Sequence, residues 1–133
     1  MQRIGRYEIE AELGRGAMGV VFRALDPAIG RTVAIKTIRL ADLGGAQDRE
    51  RLGNRLLHEA RSAGALSHPG IVIIYDVGEH DDVAYIAMEF VNGPTLEHVL
   101  ASGPAPGRDL VLRVLNTTAA ALDYAHRKLI VHR

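Results

Sequence analysis

Residues 13–22 read LGRGAMGVVF, which places Gly14, Gly16 and Gly19 in the spacing G-x-G-x-x-G, with Val21 two residues further on. A Rossmann-type turn requires a helix directly after its glycines, but the VVF that follows predicts a β-strand, and the Gly-Lys-Ser/Thr of a P-loop is absent. The glycines therefore lie on a predicted β-hairpin, where backbone N–H groups can approach polyphosphate oxygens because no Cβ is in the way. A glycine-rich hairpin turn without a ligand is the alternative interpretation.

The sequence VAIK at residues 33–36 predicts the next strand of the chain. Because side chains alternate between the two faces of a strand, Ala34 and Lys36 share one face, and Val33 and Ile35 share the other. A small side chain beside a lysine leaves room for a flat ligand and supplies a cation at the anionic end of that ligand. Without the glycine loop, Lys36 would be interpreted as an ordinary solvated lysine.

A helix is predicted within residues 49–66, RERLGNRLLHEARSAGAL. Apolar residues at intervals of three and four form its inward face, and they are Leu52, Leu56, Ala60 and Ala63. Glu59 lies on or beside this face, where a carboxylate is costly unless it is paired. Lys36 is one candidate partner. In the alternative interpretation, Glu59 reaches water beside Arg55 or Arg61.

The chain changes its pattern near residue 91. From residue 7 to residue 90 the apolar runs are short, β-branched and separated by turns, with one helical interruption, which predicts an α+β fold with a five-stranded antiparallel sheet. The predicted strands are Tyr7–Leu13, Val20–Ala24, Thr32–Ile38, Ile71–Val77 and Val83–Phe90. Beyond residue 91, Thr95 is a predicted cap for a short helix that reaches about Leu100, and a long helix is predicted from about Arg108 to Lys128.

The long helix carries a regular apolar stripe. Two sets of residues recur at intervals of seven, and they are Val111, Thr118 and Ala125, and Leu115, Leu122 and Leu129. A face of this width predicts a core helix of a bundle rather than a surface helix. A coiled coil is the weaker alternative, because the helix has only three heptads and lacks a convincing pattern of charges at the e and g positions.

The composition narrows the classes of function. Lys plus Arg and Asp plus Glu each number 16 among 133 residues, so no net field favours a nucleic acid or an anionic membrane surface as partner. The chain has no cysteine for disulfides or thiolate metal sites, and its six histidines are not clustered, so no metal site is predicted. No apolar stretch approaches the length of a membrane span, and we expect a cytoplasmic protein without a membrane segment in this chain.

Taken together, the glycine loop, the VAIK strand and the helix glutamate resemble the small lobe of a eukaryotic-like protein kinase, in the order of that family's motifs. The Gly-Ala-Met-Gly loop and the HPGIV at residues 68–72 look most like a bacterial serine/threonine kinase. The resemblance covers essentially the whole chain. It implies a kinase small lobe at residues 1–91 and, at residues 92–133, the truncated start of the large lobe, with its first two helices.

The resemblance implies ATP as the cofactor and assigns a role to each motif. The three glycines would cover the ATP phosphates, Lys36 would contact the α- and β-phosphates, and Glu59 would form the activating ion pair with Lys36. The residues that it implies around the adenine ring are Leu13, Val21 and Ala34, the gatekeeper Met88, and the hinge residues Glu89, Phe90 and Val91. In the hinge, the backbone C=O and N–H groups would pair with the adenine edge.

The last two residues, His132-Arg133, match the start of the family's His-Arg-Asp catalytic loop. The catalytic base, the Mg²⁺ ligands and the substrate-binding helices would lie beyond residue 133. We therefore expect a parent protein, which could be membrane-anchored, that phosphorylates protein serine or threonine with ATP, and an inactive 133-residue fragment. A pseudokinase or a non-catalytic interaction module is the alternative, and the intact glycines, Lys36 and Glu59 favour catalysis.

The resemblance also leads to an expectation about self-association. In a full kinase the rest of the large lobe covers the stripe of the long helix. In this chain alone, Leu115, Leu122 and Leu129 would face water as an apolar patch of the kind that drives association. We therefore expect a homodimer or higher oligomer through this helix.

Overall fold

A single antiparallel sheet forms the first part of the chain. The computed structural model describes residues 2–16, 19–39 and 44–132. The strands are β1 Arg3–Ile4, β2 Tyr7–Gly16, β3 Gly19–Asp26, β4 Arg31–Arg39, β5 Ile74–His80 and β6 Val83–Glu89. Their order across the sheet is β1-β2-β3-β4-β6-β5. The helices are α1 Ala46–Gly64, α2 Leu96–Ala101 and α3 Arg108–Arg127.

The predicted fold class is confirmed, with corrections to the strands. The described sheet has six strands rather than five, because the two-residue strand β1 adds to the edge of β2 and buries Ile4 in the core. Strand β5 begins at Ile74 and not at Ile71. Residues 71–73 instead continue from a turn in which the Ile71 N–H donates to the His68 carbonyl at 3.0 Å.

The sheet has a core on each face, because side chains alternate along β4. Val33 and Ile35 are fully buried on one face, among residues of β1, β2, β3 and β6. On the other face, Ile38 packs with Leu56 and Ala60 of α1, and with residues of β6. The face of α1 that was predicted to point inward is thus the face that packs on the sheet. This packing brings the turn of α1 that contains Leu56 and Ala60 beside β4.

A partly buried polar cluster joins β2, β3 and β5 at the edge of the first core. The Asp26 carboxylate, which is 1% exposed, accepts from the Arg6 guanidinium at 3.2 Å and 3.3 Å. Arg6 also lies 3.3 Å from Asp76, to which the Tyr7 hydroxyl donates at 3.1 Å. Burial raises the pKa of Tyr7, and the hydrogen bond to Asp76 raises it further. These contacts fix the start of β2 to the end of β3 and to β5, which is distant in sequence.

The described residues group into two units, the first formed by residues 2–65 with 73–90 and the second by residues 66–72 with 91–132. In the second unit, the Thr95 side chain caps α2 by accepting from the His98 N–H at 3.1 Å, as predicted. Residues 66–72 pack on α3, where the Tyr124 hydroxyl accepts from the Ser67 N–H at 3.0 Å. The lobe boundary predicted at residue 91 stays a prediction.

Helix α3 presents most of its apolar stripe to water. Leu115 is 60% exposed and Leu122 is 37% exposed, whereas Ala121 and Ala125 are buried. The helix ends at Arg127, and Leu129 follows it with a φ of 61°, so Leu129 does not continue the helical stripe as predicted. None of the helices in the described ranges is long and apolar enough to span a membrane.

Candidate nucleotide-binding site

The glycine motif lies at the tip of a β-hairpin, on strands β2 and β3. Gly14 is opposite Val21, and Gly16 is opposite Gly19. The two residues that join these strands, 17 and 18, lie outside the described residues. A bulge between Glu12 and Gly14 shifts the register just before the motif, so the strand bends where the glycines begin.

The three glycines have different surroundings. A Cβ built on Gly14 or Gly16 meets no atom within 4 Å, and neither residue has a positive φ. Gly19 has a φ of +144°, and a Cβ there would lie 1.7 Å from the Thr37 backbone oxygen. Gly19 is therefore required by the packing of β3 on β4, whereas Gly14 and Gly16 leave open space where a ligand can approach the backbone.

Lys36 lies at the centre of the sheet, on β4. Its neighbours across the sheet are Val21 of β3 and Ile86 of β6. Ala34, on the same face, is 7% exposed and pairs with Met88. The register therefore brings four predicted site residues onto adjacent strands: Val21, Ala34, Lys36 and Met88.

Glu59 of α1 reaches Lys36. The Glu59 Oε1 lies 3.6 Å from the Lys36 Nζ, and the side chains are 60% and 35% exposed. Among the residues that the structure describes, no ion pair joins Glu59 to Arg55 or Arg61. Of the two arrangements considered from the sequence, the structure therefore has the contact with Lys36. A partly exposed pair at this distance contributes only about 0–1 kcal/mol to stability.

A cavity of about 20 Å³ lies between α1 and β4, with room for about one water molecule. Its lining residues are Lys36, Ile38, Leu52, Arg55, Leu56 and Glu59. The cavity opens beside the ion pair, so α1 does not pack tightly on β4 at this point.

The remaining predicted site residues lie on the same sheet or directly after it. Leu13 is 49% exposed at the bulge of β2. Glu89 ends β6, and its N–H donates to the Ile73 carbonyl at 2.8 Å, while its carboxylate accepts from the Ile73 N–H at 3.2 Å. Val91 belongs to the second unit and is 61% exposed.

Sequence reasoning missed two contributions to this region. It did not predict the hydrogen bond of the Glu89 carboxylate, which fixes the last residue of β6 to the segment before β5. It also missed Thr37, whose hydroxyl donates to the Val20 carbonyl at 2.9 Å. Both hydrogen bonds depend on pairing between strands that are separated in sequence, and local signals in the sequence do not predict that pairing. In the described ranges, no group of three or more His, Asp or Glu residues is arranged to hold a metal ion.

Comparison with known proteins identifies the family of the chain. A family model described as protein kinase domain matches residues 7–133. The chain belongs to the protein kinase family. It is 43% identical over 130 residues to the serine/threonine-protein kinase PrkC of Bacillus subtilis, and 46% identical over 133 residues to the probable serine/threonine-protein kinase SCO3848 of Streptomyces coelicolor. Each match covers 97% of this chain but 19% of the relative, so the chain spans about a fifth of these kinases.

Solved kinase structures support the same assignment. The PknI kinase domain of Mycobacterium tuberculosis superimposes with a TM-score of 0.78 and 30% identity, over 99% of this chain and 52% of that one. The PpkA-294 apo form superimposes with a TM-score of 0.85 and 29% identity, with the same coverage of 99% and 52%. The sheet with α1 thus matches a kinase small lobe, and α2 and α3 match the start of a large lobe.

Proposed function

We propose that this chain is the ATP-binding part of a bacterial serine/threonine protein kinase, which transfers the γ-phosphoryl group of ATP to a protein hydroxyl. The observation that carries the proposal is the contact of 3.6 Å between Lys36 and Glu59, one strand away from an open glycine hairpin. Catalysis of phosphoryl transfer consists largely of positioning and charge stabilisation, and these residues supply a cation held by a carboxylate and an open approach to the backbone at Gly14 and Gly16.

The site residues have proposed parts in holding ATP. Gly14 and Gly16 let the backbone approach the phosphates, and Lys36, held by Glu59, neutralises charge on the α- and β-phosphates. The proposed adenine contacts are Leu13, Val21, Ala34, Met88, Glu89 and Val91. Mg²⁺ would neutralise further phosphate charge, and its ligands would come from kinase segments that follow the stretch matched here.

The test is a phosphoryl-transfer assay on the full-length gene product, with a generic protein substrate and labelled ATP. Lys36→Met should lower kcat/KM at least about a hundredfold, the scale of losing one charged stabiliser of a transition state. Arg39→Met is the matched control, because Arg39 is an exposed cation on the same strand and points to the opposite face. Equal activity of Lys36→Met and wild type would contradict the proposal.

A pseudokinase or interaction module is the competing function. The charged pair and the open glycines favour catalysis, because a module that does not bind phosphate has no use for either. We further propose that residues 1–133 expressed alone transfer no phosphate, because the family's catalytic base and metal ligands follow this stretch. A site that uses ATP and a protein substrate would work in the cytoplasm, in a protein that is either free or anchored by another segment.

Self-association through α3 is proposed for a polypeptide of these residues alone. Its exposed leucines, with Leu115 at 60% and Leu122 at 37% exposure, would be covered by a second copy. In a longer kinase the remaining large lobe would cover them instead. Sedimentation of residues 1–133 as a monomer at millimolar concentration would contradict the proposed association.

A further inference from the structure

Thr37 makes two contacts with the start of β3, where the glycine motif ends. Its hydroxyl donates to the Val20 carbonyl at 2.9 Å, and its own carbonyl oxygen occupies the space that a Cβ on Gly19 would need. Thr37 is 4% exposed, so its hydroxyl is bonded away from bulk water. The residue directly follows Lys36 on β4.

The surroundings of Thr37 favour an apolar side chain. Val33 and Ile35 lie on the same face of β4 and are fully buried, so the alternation calls for a third aliphatic β-branched residue. Threonine has the shape of valine but brings a hydroxyl, which is costly to bury unless it forms a hydrogen bond. The bond to Val20 satisfies that hydroxyl, and it is the one feature that valine could not reproduce.

The position of this bond in the sheet gives it a specific effect. The pairing of β3 with β4 extends from Asp26 and Arg31 to Val20 and Thr37, which form its last pair. Strand β2 pairs with β1 and β3 but not with β4. The end of the hairpin, where Gly16 faces Gly19, therefore lies just beyond the last pair that connects it to β4.

We infer that Thr37 is a positioning residue that ties the tip of the glycine hairpin to the strand that carries Lys36. Its hydroxyl keeps the backbone of Gly16 at a fixed spacing from the Lys36 ammonium, so that both can contact one polyphosphate. The inference rests on the proposed kinase function for its effect on ATP, whereas the tether itself can be measured without nucleotide.

The experiment compares Thr37→Val with Thr37→Ser in the full-length gene product. Thr37→Val removes the hydroxyl and keeps the shape, so it should raise the KM for ATP about fivefold, the scale of one lost hydrogen bond, with kcat within about twofold. Thr37→Ser keeps the hydroxyl and loses a buried methyl group, so it should lower the melting temperature by about 3 °C but leave the KM near the wild-type value. Ile35→Val is the control for core packing, and should lower stability without a change in KM.

Amide hydrogen exchange tests the tether independently of ATP. In Thr37→Val, peptides that contain residues 19–21 should exchange faster than in wild type, whereas Thr37→Ser should match wild type. Unchanged exchange and unchanged KM in Thr37→Val would overturn the inference, as would a KM for Thr37→Ser that rises as much as that of Thr37→Val. A wild-type protein that transfers no phosphate would refute the proposed function, and the exchange data would still decide the tether.

Discussion

Replacement of Gly19 and of Gly16 by alanine should produce opposite kinds of defect. In Gly19→Ala the new Cβ would lie 1.7 Å from the Thr37 oxygen, at a φ of +144°. A carbon and a carbonyl oxygen normally stay about 3.3 Å apart, so β3 and β4 would have to separate locally by about 1.6 Å. Gly16→Ala meets no atom within 4 Å, so the strands need not move.

The energies follow from these geometries. Gly19→Ala combines backbone strain of about 1–3 kcal/mol with the loss of the Thr37–Val20 hydrogen bond, worth about 1 kcal/mol, and the separation of the strands. We expect destabilisation by about 3–5 kcal/mol, a large share of the 5–15 kcal/mol that is typical of a folded domain. Gly16→Ala should change the free energy of unfolding by about 0.5 kcal/mol or less, but raise the KM for ATP about tenfold, because its Cβ points into space that a phosphate would use.

The assay combines denaturant unfolding of each variant with steady-state kinetics in ATP. A Gly19→Ala variant as stable as wild type would refute the packing of β3 on β4 described above. If Gly16→Ala kept the wild-type KM, the open backbone at Gly16 would have no role in binding phosphate.

Two further predictions concern the ion pair and the polar cluster. Glu59→Gln should lower kcat/KM at least about tenfold while the free energy of unfolding changes by less than about 1 kcal/mol, because the pair is largely exposed. Kinetics and melting curves check this, with Glu50→Gln on the same helix as control, and a loss of stability in step with activity would contradict it. Because burial holds the pKa of Tyr7 above its ordinary value of about 10, the unfolded chain loses this proton at lower pH, and stability should fall as the pH rises above about 10. In Tyr7→Phe, the free energy of unfolding, measured with denaturant at pH 9 to 11, should fall less steeply with pH than in wild type. An equal slope in the two proteins would contradict this prediction.

Local signals in the sequence were sufficient for the strands that carry the site. The glycine spacing, the alternation of VAIK and the cap at Thr95 each act over a few residues, and each corresponds to an element in the structure. Periodicity alone predicted that Glu59 lies on or beside the inward face of its helix. The choice of Lys36 over Arg55 or Arg61 as its partner required the packing of α1 on β4.

The features that were missed or misplaced depend on contacts between distant segments. Strand β1 has two residues, too few for any period, and exists because Ile4 is buried in the core. The apolar run at residues 71–74 shows no alternation, so the start of β5 is set by the hydrogen bonds between Ile73 and Glu89. The role of Thr37 could not be predicted either, because in sequence it continues the β-branched alternation of Val33 and Ile35.

Lys36 and the glycine hairpin are proposed to hold the phosphates of ATP. This proposal can be tested by titrating ATP and adenosine separately into the wild-type full-length gene product and into Lys36→Met. We predict that Lys36→Met binds ATP at least about tenfold more weakly than wild type but binds adenosine equally well, because only the phosphates meet the lost charge. Equal ATP affinity in the two proteins, or an equal loss for ATP and adenosine, would contradict a role of Lys36 in holding the phosphates.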